Sequence, residues 1–330
     1  MGEQGALVSV VVPVCNEEAN LPELRSRLTA ALAGQEFECI VVDDGCTDAS
    51  AAMVRDFARE DPRFKLVSLS RNFGHQAAIF AGLTFAQGAC VAVIDGDLQD
   101  PPELIPEMLR EWAKGAEVVY GVRTARKGRR LAHALAAVYY RLLARLSAVR
   151  MPVDAADFAV LDRRVVDVIV AIAERHPYVR GLRSWVGFRQ VAYPYVRERR
   201  GKGEPKYTLW KLLDLALAGI VAFSVVPLRL VALAGAALSA VSVAGAVALG
   251  AARVAGVRLP AGDASLLAWV LVAVAFLFGL QLFVVGLLGE YVGRVLEEVQ
   301  SRPIFVVDDV VGLDPKRAMR DHGMRVPRVD

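Results

Sequence analysis

Short apolar runs alternate with helix-spaced segments along the N-terminal third of the chain. Leu7–Val14, Phe37–Asp43, Phe64–Leu69, Cys90–Ile94 and Glu117–Val122 are rich in β-branched residues and nearly continuous in apolar character. Such runs predict central strands covered on both faces, because a strand wetted on one face alternates apolar and polar positions. Between them, Leu21–Leu32, Ala49–Glu60, Gln76–Ala86 and Glu103–Lys114 carry apolar residues at helical spacing. The last is entered through Pro101 and Pro102, where a missing N–H costs a helix nothing. Strand–helix alternation predicts an α/β fold with a mostly parallel sheet and helices on both faces. Open sheets of that type bind ligands beyond the carboxyl ends of their strands.

The C-terminal part is patterned differently. The windows 230–252 and 264–289 contain no charged residue. As helices they would span roughly 35 and 39 Å at about 1.5 Å per residue, enough to cross a hydrocarbon layer of about 30 Å. They predict two transmembrane helices in the cell (inner or plasma) membrane, joined by a short extracytoplasmic loop over 253–263. Both termini are then cytoplasmic, with a catalytic-sized domain over 1–210 and a tail over 290–330. Lys211, Arg229, Arg294 and Arg302 flank the cytoplasmic side, against Arg253 and Arg258 on the other, a weak bias in the expected direction. Leu215–Leu228, closed by Pro227 and Arg229, predicts an interfacial helix within 211–229. Arg129–Val149 has apolar residues at steps of three and four and four arginines elsewhere. It reads equally as a helix at the membrane interface or as one packed on the sheet.

Composition agrees with this division. The 330 residues are 55% hydrophobic with a mean hydropathy of +0.39, oily for a wholly soluble enzyme. The 39 Lys+Arg and 36 Asp+Glu all lie outside the two windows, at an ordinary globular density that excludes disorder. A net charge of +3 is too small to imply a nucleic-acid partner. Cys15, Cys39, Cys46 and Cys90 show no C-x-x-C spacing and no histidines at metal-ligand intervals. A reducing compartment is expected rather than a disulfide or zinc framework.

The candidate chemistry sits in three acidic loops after strands. These are Pro13-Val14-Cys15-Asn16-Glu17-Glu18, Asp43-Asp44-Gly45-Cys46-Thr47-Asp48 and Asp95-Gly96-Asp97-Leu98-Gln99-Asp100. Acids converging on one edge repel unless a cation or hydrogen-bond donors compensate, which predicts a divalent ion. Strand alternation aims Asp95 and Asp97 to the same side, with Gly96 leaving room between them. Hard oxygen ligands of this kind suit Mg²⁺ or Mn²⁺, completed by substrate phosphates.

In that order, VVPVCNEEANL, IVVDDGCTD, SRNFGHQAAIFAGL and VAVIDGDLQDPPEL resemble family 2 inverting glycosyltransferases of the GT-A fold. The group most similar is the polyprenyl-phosphate glycosyltransferases, including dolichyl-phosphate mannose synthases and bacterial undecaprenyl-phosphate glucosyltransferases. The likeness continues through Asp157-Phe158, Arg180–Gln190, Arg200, Lys206-Tyr207, Phe223–Arg229 and Leu287–Val295, covering nearly the whole chain.

The resemblance implies roles residue by residue. Pro13, Val14, Glu17 and Asp44 would hold the base and ribose of a nucleotide sugar. Asp95 and Asp97, with Gly96 and Gln99, would hold a Mg²⁺ or Mn²⁺ bridging its diphosphate. Asp157 would lie near the reacting centre, and Arg123, Arg200 and Lys206 would face donor or acceptor phosphates. The implied reaction is transfer of one sugar, UDP-linked, to a polyprenyl phosphate in the bilayer, with a homo-oligomer, a tetramer, implied by likeness alone. Cys15 and Cys46 depart from the tyrosine and serine common in the family, and Cys90 and Pro205 replace more usual polar residues. From the residues themselves, Asp154 and Asp162 compete with Asp157, Arg163 and Arg164 being within reach of any of them. The basic run Arg197–Lys206 serves phosphate or lipid headgroups equally. His75 fits either a donor contact or a structural helix start, and Trp185 and Tyr207 read as packing or interfacial aromatics. A processive polysaccharide synthase would need more spans and a Gln-x-x-Arg-Trp motif, neither of which is present. A non-catalytic scaffold or transport subunit would need no converging aspartates.

Overall fold

The computed structural model describes residues 5–123, 155–172, 178–197, 263–300 and 302–314, with isolated positions between 233 and 255 and many side chains of 263–300 left outside. The described residues fall into two compact units, a sheet domain that includes 302–314 and a C-terminal helix.

Five strands form where the apolar runs predict them: β1 (Val8–Val14), β2 (Phe37–Asp43), β3 (Phe64–Leu69), β4 (Cys90–Val93) and β5 (Val118–Arg123). Every residue of β1, β2 and β4 is buried, as nearly continuous apolar runs require, and in β2 the burial extends to Glu38 and Asp43. Helices α1 (Leu21–Ala31), α2 (Ser50–Glu60), α3 (His75–Phe85) and α4 (Ile105–Ala113) lie between them, α4 entered through a 3₁₀ turn at Pro102–Leu104. Three strands have no counterpart in the sequence reading: β6 (Ala155–Asp162), β7 (Gln190–Tyr195) and β8 (Val307–Val311). Two helices are likewise additional, α5 (Arg163–Ala171) and α6 (Val179–Trp185). Asp162 starts α5 as an N-cap, its carboxylate accepting from the Arg164 amide at 3.0 Å, which satisfies one otherwise orphaned donor.

The sheet order is β7-β5-β6-β4-β1-β2-β3-β8. The pairs β1–β2, β1–β4, β2–β3 and β5–β7 are parallel, while β6 is antiparallel to β4 and β5, and β8 to β3. Six strands therefore share one direction, the mostly parallel sheet expected of an α/β, GT-A-like fold. Pro13 sits in a central strand just past the last β1–β4 pair, Val11–Val93, so its missing N–H falls beyond that ladder.

Two cores cover the faces. One packs Val11, Ile40, Val67 and Val93 against α3, α5 and α6; the other packs Val10, Val12, Val41 and Ala92 against α1 and α4. Residues 77–85 of α3 are all buried, so this helix is covered on every side. Gly82 permits this: a Cβ there would stand 2.2 Å from Val11 Cγ1.

The second unit contains α7 (Asp263–Val299), a continuous helix of 37 residues that includes the uncharged window 264–289. Among the described residues no helix is long and apolar enough to cross a membrane, many side chains of this helix lying outside them. The window 230–252, for all but a few isolated positions, lies outside the described residues, as do the Arg129–Val149 and 211–229 helices, Arg200, Lys206 and Tyr207.

Candidate functional site

Strands β1, β2 and β4 end at one edge, with Val14 opposite Asp43 and Val11 opposite Val93. From β1 the chain winds outward through β2 and β3, then returns to place β4 on the other side of β1. That reversal opens a crevice at the carboxyl ends, and all three acidic loops border it.

Most of these acids are already satisfied by the protein's own amides. The Asp43 carboxylate accepts from Cys46 N at 2.7 Å, Asp44 from Phe73 N at 2.7 Å and Gly74 N at 3.0 Å, and Asp48 from Ser50 N at 3.0 Å. Glu18 accepts from Ala49 N at 2.9 Å, and Glu17 from Asn20 Nδ2 at 2.6 Å. Repulsion among the loops is thus relieved largely by backbone donors, and the expectation that it demands a divalent ion is corrected for the first two loops. Burial raises the Asp44 pKa, with the Phe73 and Gly74 amides opposing. Asp44 ties the loop after β2 to the start of α3. Val14 is held through its carbonyl, which accepts from Asp44 N at 2.9 Å.

The loop after β4 is different. Asp95 Oδ1 and Asp100 Oδ2 are buried with no hydrogen-bond partner. Asp97 accepts from Gln99 N at 3.1 Å, closing a tight turn in which Leu98 takes a φ of 59°; Gln99 thereby shapes the turn that presents Asp97. A Cβ on Gly96 would lie 3.3 Å from Pro13 O and from Val14 Cγ2, so this position favours the smallest residue and brings β1 against the aspartates. Arg197 Nη2 stands 3.6 Å from Asp95 Oδ2 and 3.9 Å from Asp97 Oδ2, and its Nε 3.5 Å from Asp100 Oδ1. Tyr195 donates its hydroxyl to Asp100 Oδ1 at 2.5 Å and accepts from Arg123 Nε at 3.4 Å. Burial pushes the Asp95 carboxyl up to about 6, with His75 opposing and Asp100, Asp157 and Asp97 adding to it.

Among the described residues no group of three or more His, Cys, Asp or Glu is arranged to hold a metal ion. Asp95 and Asp97 instead stand as a pair of carboxylates facing the shared guanidinium of Arg197. An orphaned, buried carboxylate oxygen beside a second carboxylate fits a hard dication that takes its remaining ligands from water and phosphate.

Asp157, on β6, faces this group. Arg180 of α6 grips it with Nη2–Oδ2 at 2.6 Å and Nε–Oδ1 at 3.2 Å. His75 Nε2 lies 3.7 Å from Asp157 Oδ2 and 3.4 Å from Asp95 Oδ1. Burial raises the Asp157 pKa, but His75 and the Arg180 guanidinium outweigh it and hold the carboxyl well below the usual range. Asp162, its competitor in the sequence, instead receives Trp112 Nε1 at 2.9 Å and Arg164 Nε at 3.3 Å. Beneath Asp157, the buried Arg183 donates to Ala156 O at 3.0 Å and lies 4.9 Å over the Tyr120 ring. Burial brings its pKa down to about 10, Asp157 opposing. Trp185 is 61% exposed, so it is not a core aromatic.

The structure thus brings together Pro13, Val14, Glu17, Asp44, Asp95, Gly96, Asp97, Gln99, Arg123 and Asp157 at one edge. Asp100, Arg180, Arg183, Tyr195 and Arg197 belong to the same cluster, although the sequence reading gave them no individual role.

The family model "Glycosyl transferase family 2" matches residues 9–170. An uncharacterized glycosyltransferase of Bacillus subtilis, YkcC, is 43% identical over 321 residues, covering 96% of this chain and 98% of its own. The chain belongs to glycosyltransferase family 2. This glycosyltransferase is also 36% identical to the bactoprenol glucosyl transferase of Shigella phage SfII, covering 91% of this chain and 97% of that one. It is 35% identical to the undecaprenyl-phosphate 4-deoxy-4-formamido-L-arabinose transferase of Pseudomonas aeruginosa, covering 94% and 91%. Among solved structures, glucosyl-3-phosphoglycerate synthase of Mycobacterium tuberculosis, in complex with Mn²⁺, UDP-glucose and phosphoglyceric acid, matches with a TM-score of 0.43 at 21% identity over 66% of this chain and 78% of that one. That likeness adds nothing to the functional assignment.

Proposed function

We propose that this glycosyltransferase moves one sugar from a nucleotide diphosphate sugar, UDP-linked as in UDP-glucose, to the phosphate of a membrane polyprenol such as undecaprenyl phosphate. A single displacement inverts the anomeric centre, and the lipid-linked sugar serves glycan or lipid modification of the cell envelope. The observation that carries this reading is the approach of Asp95 and Asp157 across His75, with orphaned carboxylate oxygen on one side and guanidinium groups around both. Relatives named for bactoprenol and undecaprenyl phosphate match over nine-tenths of the chain, the apolar windows included, which supports a lipid acceptor.

In this reading Asp95 and Asp97 hold Mg²⁺ or Mn²⁺, which supplies neutralising charge to the departing diphosphate. Pro13, Val14, Glu17 and Asp44 line the place for base and ribose. Arg123, Arg200 and Lys206 bind the phosphates that make donor and acceptor mutually repulsive. A phosphate monoester with a second pKa of about 6 is already largely ionised at neutral pH, so the nucleophile needs little deprotonation. Asp157, kept ionised by Arg180, orients the reacting groups rather than acting as a strong base.

The spans 230–252 and 264–289 and an interfacial helix over 211–229 would hold the domain 1–210 at the cytoplasmic face, where a polyprenol headgroup is within reach. Assembly as a homo-oligomer, a tetramer, belongs to the same proposal. The test incubates the purified full chain with labelled UDP-sugars and undecaprenyl phosphate, with and without chelator. One UDP-sugar is expected to yield organic-extractable label that chelator abolishes; a polymer, or no product from any donor, rejects the proposal.

A further inference from the structure

Arg197 lies at the centre of the acid cluster, yet it makes no close pair with any member of it. Its contacts to Asp95, Asp97 and Asp100 fall at 3.6, 3.9 and 3.5 Å, beyond the roughly 2.7–2.9 Å of a charge-assisted hydrogen bond. By contrast, Arg180 closes on Asp157 to 2.6 Å. Arg197 Nε is buried with no hydrogen-bond partner, and so are Asp95 Oδ1 and Asp100 Oδ2 around it. Asp100 is wholly buried and is held on its other oxygen by Tyr195. A guanidinium shared at a distance among three carboxylates, with donors and acceptors left unmatched on both sides, acts as a counter-ion rather than as a specific ligand.

We propose that Arg197 is a positioning residue that competes with the divalent cation for the carboxylates of Asp95 and Asp97. This inference rests on the metal reading given above. A dication and a guanidinium within about 4 Å of the same oxygens repel each other strongly in a half-buried site. Cation binding therefore drives Arg197 off the acids, and Arg197 in place weakens cation binding. The displaced guanidinium, two residues past the end of β7, is then a free cation beside the incoming phosphates. Metal-free protein stays electrostatically neutralised, and metal loading exposes an additional phosphate-binding arginine in the same step.

The test is calorimetric titration of Mn²⁺, without nucleotide, into the detergent-purified full chain and its Arg197→Gln, Arg197→Met, Arg197→Lys and Asp97→Asn variants. Removing the charge in Arg197→Gln or Arg197→Met is expected to tighten Mn²⁺ binding about tenfold, whereas Arg197→Lys keeps the competing charge and stays within about twofold of the parent. Asp97→Asn should abolish binding. Two neutral variants of different shape guard against one failing to fold. Equal or weaker binding by the neutral variants, with Asp97→Asn still null, overturns the competition and leaves the metal site standing. No binding by the parent or by any Arg197 variant overturns the metal reading and the competition with it.

Discussion

Arg180 reaches Asp157 through two nitrogens at 2.6 and 3.2 Å, fixing the orientation of a carboxylate that the strand β6 alone would leave free to rotate. Both side chains are less than one quarter exposed, so removing one partner strands a charge in a poorly solvated place. Arg180→Met should cost about 3 kcal/mol of stability and reduce sugar transfer about a hundredfold. Asp157→Asn combined with Arg180→Met should recover much of the stability and none of the activity. Denaturant melts and initial rates for the two singles and the double form the cycle that checks this. The pair also sets a pH expectation. Asp157 is depressed below its unfolded value, so its stabilisation is present above about pH 3.9 and is lost as pH falls further. The rate profile should show no limb from this residue between about pH 5 and 9.

Asp95 titrates the other way. Burial lifts its carboxyl to about 6, so in metal-free protein its contribution to stability is complete below the unfolded value of about 3.9 and is lost as pH rises through about 6. A dication must displace that proton. Mn²⁺ affinity is expected to be level above about pH 7 and to fall by up to about tenfold per unit below about 6. Calorimetric titrations at four pH values from about 5 to 8 decide it, and a constant affinity across the range would contradict the assignment of Asp95 as a ligand.

The two halves of the sheet were unequally legible for a physical reason. The strands β1 to β5 are nearly continuous apolar runs, and their predicted bounds agree with the structure to within a residue. Gln190–Tyr195 instead interleaves exposed and half-buried positions and contains Pro194, and Val307–Val311 carries Asp308 and Asp309; each is an edge strand that needs no apolar run. Asp95 and Asp97 announce themselves by following a buried strand. Arg180 and Tyr195 do not, because their partners Asp157 and Asp100 lie 23 and 95 residues away in the chain. Arg197 is hidden in a basic run, Arg197–Lys206, whose composition also suits a membrane-proximal segment.

Gly45 ties the loop after β2 to the loop after β3. Its φ is +67°, and a Cβ would stand 2.5 Å from Asn72 N and 2.7 Å from Arg71 C, both backbone atoms that cannot step aside. The neighbouring Asp44 accepts from Phe73 and Gly74 in the same loop, so strain at Gly45 pulls directly on the proposed nucleotide site. Gly45→Ala should cost about 2 kcal/mol and weaken UDP binding, while Gly34→Ala, at a surface turn with nothing within 4 Å, should cost less and leave UDP binding unchanged. Thermal melts with and without UDP separate the two effects.

A carboxylate at the opposite end of the strands shows what an acid looks like when its work is structural. Glu38 is 2% exposed; its Oε1 accepts from Ser9 Oγ at 2.5 Å and Gln87 N at 2.8 Å, and its Oε2 from Lys65 Nζ at 2.6 Å. Both oxygens have a donor, unlike Asp95 Oδ1 and Asp100 Oδ2, which have no hydrogen-bond partner. Glu38→Ala leaves a half-buried ammonium and two further donors without their acceptor, so about 3 kcal/mol of stability should be lost. The site lies beyond the carboxyl ends and Glu38 near the amino ends, so the folded fraction should retain the parent's KM for the nucleotide sugar. A variant as stable as the parent, or one that binds donor weakly while fully folded, would show that this network reaches further than its contacts.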